Sequence, residues 1–128
     1  MSVKTSILLV VTLISFSVVV VGAEDSEAIT KLISEINAAA KTNKARMMTI
    51  IIINTDVSAK KLEQEKARTG LSLGDVYVAH SIALASRKNV DAIFASKATG
   101  QSWAQIAHAH KVSLRGSTAA LKEMLEKQ

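Results

Sequence analysis

The sequence predicts an all-α fold, a compact domain of about six to seven short helices with a degenerate 30-residue helix–turn–helix repeat. Three observations lead to this class. Apolar residues recur at three- and four-residue spacing along most of the chain after residue 23, which is typical of amphipathic helices. Serines and asparagines that can cap helices, and glycines that can end them, separate these stretches. The chain has no proline, and after residue 23 it has a single β-branched run, so a strand would lack a partner.

The N-terminal segment over 1–23 is predicted to be a secretory signal peptide. Lys4 is the only charged residue before Glu24, residues 7–21 are almost wholly apolar, and Val21 and Ala23 suit a cleavage site before Glu24. The alternative is a retained anchor, but fifteen apolar residues are fewer than the roughly 20 that cross a bilayer as a helix. We therefore expect a signal peptide over 1–23 and a helical domain over 24–128. The domain would be periplasmic or extracellular and would have no membrane span.

The composition of the domain is basic and free of cysteine. Without cysteine no disulfide can form, so apolar packing alone must hold the fold. From residue 36 onward there are fourteen basic and seven acidic residues. This excess suits a polyanion such as nucleic acid, anionic lipid headgroups or acidic glycans, and equally suits a solvated surface that keeps the protein soluble.

The predicted helices follow from caps and periodicity. They cover 26–41, 43–54, 58–68, 72–86, 89–98, 102–110 and 113–127. Residues 47–53 are ambiguous, because four consecutive isoleucines suit either a buried strand or a fully buried helix. We predict a helix there, since no second run of comparable β-branched content could pair with it.

Two segments of the chain resemble each other. Residues 69–84 and 99–114 share six identities in sixteen positions. Gly70 and Gly100 stand where a helix end needs a positive φ. Ser72 and Ser102 follow as N-caps, each with an acidic or amide residue three positions later. The predicted repeat units are about 58–86 and 89–118, each a helix, a Thr-Gly turn and a second helix.

Residues 102–122 resemble a DNA-binding helix-turn-helix. In that family the second helix enters the major groove. By position its contacts here would be Leu114, Arg115, Ser117 and Thr118, with Lys122 on a phosphate. Any tight three-helix packing needs the same apolar spacing, so a purely structural use is the favoured interpretation. Trp103 would then be a core anchor whose indole N–H reaches a nearby carbonyl.

A longer resemblance covers the chain from Thr69 onward. It rests on two motifs, Thr69-Gly70-Leu71-Ser72 and Gly100-Gln101-Ser102-Trp103-Ala104-Gln105-Ile106-Ala107. With these motifs the segment resembles a group of small exported bacterial helical proteins of no established activity. The resemblance implies an exported helical domain and supplies no function.

The sequence offers little for metal binding or catalysis. His108 and His110 point about 200° apart on a helix and cannot share an ion unless the helix has ended, and His80 is the repeat counterpart of His110. Asp75 and His80 lie about 140° apart on one helix, which is a poor acid–base pair. We expect no metal, no cofactor and no enzymatic activity.

The expected function is therefore that of a non-enzymatic exported helical module acting through protein or surface contacts. Its partner would be an unidentified protein or an envelope surface. The alternative is a polyanion-binding protein that uses basic turns. The candidate polyanion contacts are Lys60, Lys61, Arg87, Lys88, Lys111, Arg115 and Lys122.

Overall fold

The fold is all-α, as the sequence predicts. The computed structural model describes residues 26–127, apart from the side chains of 116 and 117, so the predicted signal peptide lies outside the described residues. This part of the chain contains seven helices and no strand. The helices are α1 (26–42), α2 (Lys44–Thr55), α3 (Ala59–Thr69), α4 (Leu73–Ser86), α5 (Val90–Ala98), α6 (Trp103–Ala109) and α7 (Leu114–Glu126).

Side-chain caps explain where the helices begin. Asn43, Ser58, Ser72, Asn89 and Ser102 each accept a hydrogen bond from a backbone N–H two or three residues later. Each bond satisfies an amide that has no partner within its helix. Most predicted segments start one residue before the observed helix because the prediction counted the cap residue. Segment 47–53 is helical as predicted, with its first three isoleucines turned inward or half-buried and Ile53 outward.

Helix α4 lies at the centre of the domain. All of its residues from Val76 to Ala83 are buried, and it packs against α2, α3, α5, α6 and α7. A helix that is apolar on every side is stable only when other elements enclose it. The core therefore forms around α4, and the other helices supply one apolar face each.

A glycine allows α1 to approach α4 closely. A Cβ on Gly74 would lie 2.7 Å from the backbone oxygen of Ile33, so no other residue fits there without a shift. The Asn37 side chain accepts a hydrogen bond from the Gly74 N–H at 2.9 Å. This bond joins α1 to the first turn of α4. None of the helices found between residues 26 and 127 is long and apolar enough to span a membrane.

The two Thr-Gly turns share their local geometry. Gly70 and Gly100 have φ angles of 72° and 98°, the left-handed conformation that glycine adopts without a Cβ clash. Ser72 and Ser102 each form a capping box, the first with Asp75 and the second with Gln105. Beyond the caps the segments diverge, since α4 has 14 residues and α6 has seven. The longer repeat stays a prediction.

Candidate functional site

The core contains one acid–imidazole contact among the described residues. Glu65 on α3 and His80 on α4 meet at 2.6 Å between Oε1 and Nε2, with side chains only 5% and 7% exposed. Phe94 on α5 presents its ring edge-on to His80, with centroids 6.1 Å apart. Arg68 covers Phe94 at 5.5 Å and bonds to Asp91 at 3.0 Å. These contacts join α3, α4 and α5 and keep the histidine from solvent.

Sequence reasoning missed the partner of His80, although a signal was present. His80 stands in an apolar run, which predicts burial, and a buried imidazole needs a hydrogen-bond partner. Glu65 lies three residues after the buried Leu62, so both occupy the same face of α3. The sequence does not reveal which face of α3 meets α4, and that choice decides between Glu63 and Glu65.

A second polar contact joins the two capping turns. The Trp103 indole N–H donates to Oδ1 of Asp75 at 2.8 Å, while Oδ2 of Asp75 accepts from the Ser72 hydroxyl at 2.7 Å. The predicted carbonyl partner of Trp103 is wrong, because the capping box occupies only one carboxylate oxygen and leaves the other available to the indole. Lys97 covers the Trp103 ring, 5.1 Å from its centroid. Asp75 thus holds α4 and α6 together.

The histidines do not converge. His80 is enclosed with Glu65, whereas His108 is exposed and His110 is half-buried beyond the end of α6. Over the described range, no group of three or more histidine, aspartate or glutamate side chains is placed to hold a metal ion.

All seven candidate polyanion contacts are exposed. None of them forms an ion pair among residues 26–127, in contrast to Lys44 with Glu63, Arg68 with Asp91 and Lys127 with Glu123. A cation that forms no internal ion pair can bind a polyanion without first breaking a contact of its own. Its binding releases counterions that were condensed on the polyanion.

The cations fall into two groups by position. Lys60 and Lys61 stand in the first turn of α3, and Arg87 and Lys88 follow the end of α4. The other group lies on the α6–α7 turn and on α7. Two of its members, Arg115 and Lys122, line a groove of about 330 Å³ whose walls include Ile29, Val112 and Leu114.

The helix-turn-helix-like segment turns part of its supposed reading face inward. Leu114 and Thr118 are buried, and the Thr118 hydroxyl donates to the Leu114 carbonyl at 2.6 Å. Of the positions that would read bases by analogy, Arg115 is exposed. Trp103, Ile106 and Leu121 belong to the core, and Val112 packs against it. This placement supports the structural interpretation of the segment.

Two large apolar side chains of the described residues are exposed, Ile53 at 63% and Leu84 at 64%. Ile53 lies near the end of α2. Leu84 directly follows the buried run of α4 and stands one turn after His80. The structure adds to the sequence pattern the exposure of the seven cations and of these two apolar residues.

Comparisons with known protein families, with curated proteins and with solved structures find no match for this chain. The resemblance to small exported bacterial helical proteins therefore stays a prediction.

Proposed function

We propose that this protein is a non-enzymatic exported helical module that acts through contacts on its surface. The observation that carries the proposal is the exposure of Ile53 and Leu84 on a surface whose seven candidate cations form no ion pair within residues 26–127. A large exposed apolar side chain favours association, because a partner that covers it removes apolar area from water.

The polar contacts of the interior support the non-enzymatic part of the proposal. Glu65 and His80 are enclosed by α3, α4 and α5. Asp75 uses one oxygen in the capping box and the other on the Trp103 indole. These carboxylates and the imidazole hold helices together, and a catalytic role would require them to reach a substrate.

Export is part of the proposal and has its own test. The small residues before Glu24 place the expected mature N-terminus at Glu24 or within a few residues of it. Intact mass or N-terminal sequencing of protein recovered after export measures this directly. A soluble envelope form that retains Met1 would contradict cleavage.

Surface contact is tested by comparative capture from the native envelope fraction. The variant Ile53→Ser/Leu84→Ser changes exposed positions, so its stability should stay close to wild type while its captured components are lost. Ala45→Ser/Ala85→Ser is the matched control, because Ala45 and Ala85 are exposed on the same two helices. Identical captured components on all three forms would contradict the proposal.

The second candidate function, polyanion binding, is favoured by the seven exposed cations. Titration with heparin or duplex DNA at two salt concentrations tests it, since binding by counterion release weakens steeply with salt. We expect weak, salt-sensitive association that Arg115→Ala/Lys122→Ala barely changes, with a stability shift under about 0.5 kcal/mol. Sequence-selective nanomolar binding at physiological salt would replace the first proposal with this one.

A further inference from the structure

We infer that one end of the helix bundle docks on an anionic lipid surface, with Leu84 as its apolar anchor. We call this surface the basic end, and it consists of Lys60, Lys61, Leu84, Arg87 and Lys88. The inference rests on the proposed function, because it names the partner of the same exposed surface.

The contact between Glu65 and His80 fixes the geometry of the basic end. Helices α3 and α4 are joined by residues 70–72, and the two side chains meet between them at 2.6 Å, so the chain turns back after α3 and α4 packs against it. Lys61 lies four residues before Glu65, and Leu84 lies four residues after His80. Residues four apart share a helix face and lie about 6 Å apart along the axis. Lys61 and Leu84 therefore lie on the same side of the Glu65–His80 contact, toward one end of the α3–α4 pair.

The remaining cations of the basic end follow Leu84 in the sequence. Arg87 and Lys88 come three and four residues after Leu84, one turn further along α4 and its cap. A shallow cleft lined by both Lys61 and Asn89 shows that the first turn of α3 lies beside the turn that follows α4. Basic side chains from two segments that are distant in sequence thus lie toward the end of the bundle where the leucine is exposed.

Lys61 occupies a position where local structure favours another residue. In α4 and α6 the third helical residue after the serine cap completes a capping box, as Asp75 and Gln105. In α3 the serine cap is Ser58 and the third residue is Lys61, which cannot accept a hydrogen bond. Lys60 and Lys61 also face the positive end of the helix dipole, which disfavours cations.

Arg87 is a second such position. It ends α4 with a φ of 57°, in the left-handed region where glycine is usual, a conformation that Asp56 after α2 and Lys111 after α6 share. Gly70 fills the equivalent position after α3. The common property of Lys61 and Arg87 is their positive charge at the same end of the bundle, and a negatively charged partner would offset the local cost.

The composition of the basic end fits a lipid surface better than a protein groove. A stable protein interface buries about 800 Å² on each partner around a packed apolar centre, far more than one leucine provides. A membrane accepts a single inserted side chain, while each lysine or arginine near anionic headgroups adds independently to binding. Long basic side chains around a leucine can reach headgroups while the leucine enters the acyl boundary.

The test is co-sedimentation of protein recovered after export with two kinds of vesicle. One contains equal parts of phosphatidylglycerol and phosphatidylcholine, and the other contains phosphatidylcholine alone. We expect binding to the anionic vesicles that weakens with salt, and little binding to the neutral ones. Leu84→Ser should lower the partition coefficient about fivefold, and Leu84→Met should restore most of it.

Two substitutions separate lipid docking from folding. Lys61→Glu completes a capping box with Ser58 and should raise the thermal midpoint. Arg87→Gly relieves the left-handed backbone and should keep or raise the midpoint. The double variant should nevertheless bind anionic vesicles at least tenfold more weakly. Arg115→Ser/Lys122→Asn/Lys111→Gln is the charge-matched control, because it lowers the net charge by three, as the double variant does, within the other group of cations. It should change binding less than threefold.

Several outcomes would overturn the inference. These are equal binding to neutral vesicles, an unchanged partition for Leu84→Ser, or equal losses for the double variant and the control. Binding to soluble heparin that needs Lys61 and Arg87 but not Leu84 would assign the basic end to a soluble polyanion. If vesicle binding fails while the Ile53→Ser/Leu84→Ser pair still loses an envelope partner, the proposed function stands and the lipid assignment falls.

Discussion

The helix pairs α3–α4 and α5–α6 begin from the same turn and end in different environments. Both turns have a glycine of positive φ, a serine cap and a capping box. The second helical residue after the cap is Gly74 in α4 and Ala104 in α6, and three residues later Tyr77 corresponds to Ala107. Helix α4 is enclosed along most of its length, whereas α6 ends after seven residues.

The difference shows what a local motif can and cannot specify. The cap and glycine act through bonds within a few residues, so the same motif gives the same turn twice. The residues that follow depend on their neighbours. Gly74 is required because the backbone of α1 lies against it, and Tyr77 fits because several helices surround it. The following four predictions test this comparison, from the largest expected effect to the smallest.

Trp103 is the residue through which α6 reaches α4, so its removal should have the largest effect. Trp103→Ala should lower the free energy of unfolding by about 3–5 kcal/mol, because it leaves a cavity in the core. Trp103→Phe keeps most of the apolar contact and loses the bond to Asp75, and should cost less. Chemical denaturation measures both, and a loss under about 1 kcal/mol for Trp103→Ala would mean that α6 does not anchor the core.

Substitutions at Gly74 and at Ala104, its counterpart in α6, test whether the close approach of α1 makes the two positions different. Gly74→Ala should destabilise by about 1–3 kcal/mol, since the new Cβ would meet the Ile33 backbone at 2.7 Å. The converse change, Ala104→Gly, should cost about 1–2 kcal/mol through helix propensity and the loss of a buried methyl group. Denaturation midpoints that rise for Gly74→Ala, as for an ordinary helical glycine, would contradict the close approach of α1.

The turn glycines should respond alike. Nothing lies within 4 Å of a Cβ built on Gly70 or Gly100, so only the positive φ opposes a side chain. Gly70→Ala and Gly100→Ala should each cost on the order of 1 kcal/mol. Urea denaturation of the two variants measures the similarity directly. Unchanged midpoints in both would show that the turns do not depend on the left-handed conformation.

Ionisation of Tyr77 in α4 should lower the stability of the protein at alkaline pH. Helix α6 has Ala107 at the corresponding position and makes no such contribution. Burial raises the pKa of the Tyr77 phenol above its usual 10.0, against a smaller opposing effect of the Ser81 side chain. The unfolded chain then releases this proton at lower pH than the folded protein. Stability should therefore fall as pH rises through and beyond 10.0.

Tyr77→Phe removes this proton and should flatten the decline. The chain has a single tyrosine, so the phenolate absorbance reports its titration without a contribution from another phenol. An equal decline in wild type and Tyr77→Phe would assign the alkaline loss of stability to other groups.

The sequence by itself determined the fold class, the approximate helix boundaries and the two capping turns. These depend on apolar spacing and on hydrogen bonds between residues two to four positions apart, which a linear pattern records. It also indicated which cations could contact a polyanion, because composition shows charge directly. It did not show how those cations group, since Lys61 belongs to α3 and Arg87 follows the end of α4.

Only the tertiary structure decided the contacts between helices. Glu65 meets His80, Trp103 meets Asp75, and Gly74 receives the backbone of Ile33, and in each case the two residues are far apart in the sequence. Each contact depends on the rotation of one helix about its axis relative to another, and packing of the whole core sets that rotation. The exposure of Leu84 has the same origin, because α3 and α5 enclose His80 one turn earlier and leave the end of α4 uncovered.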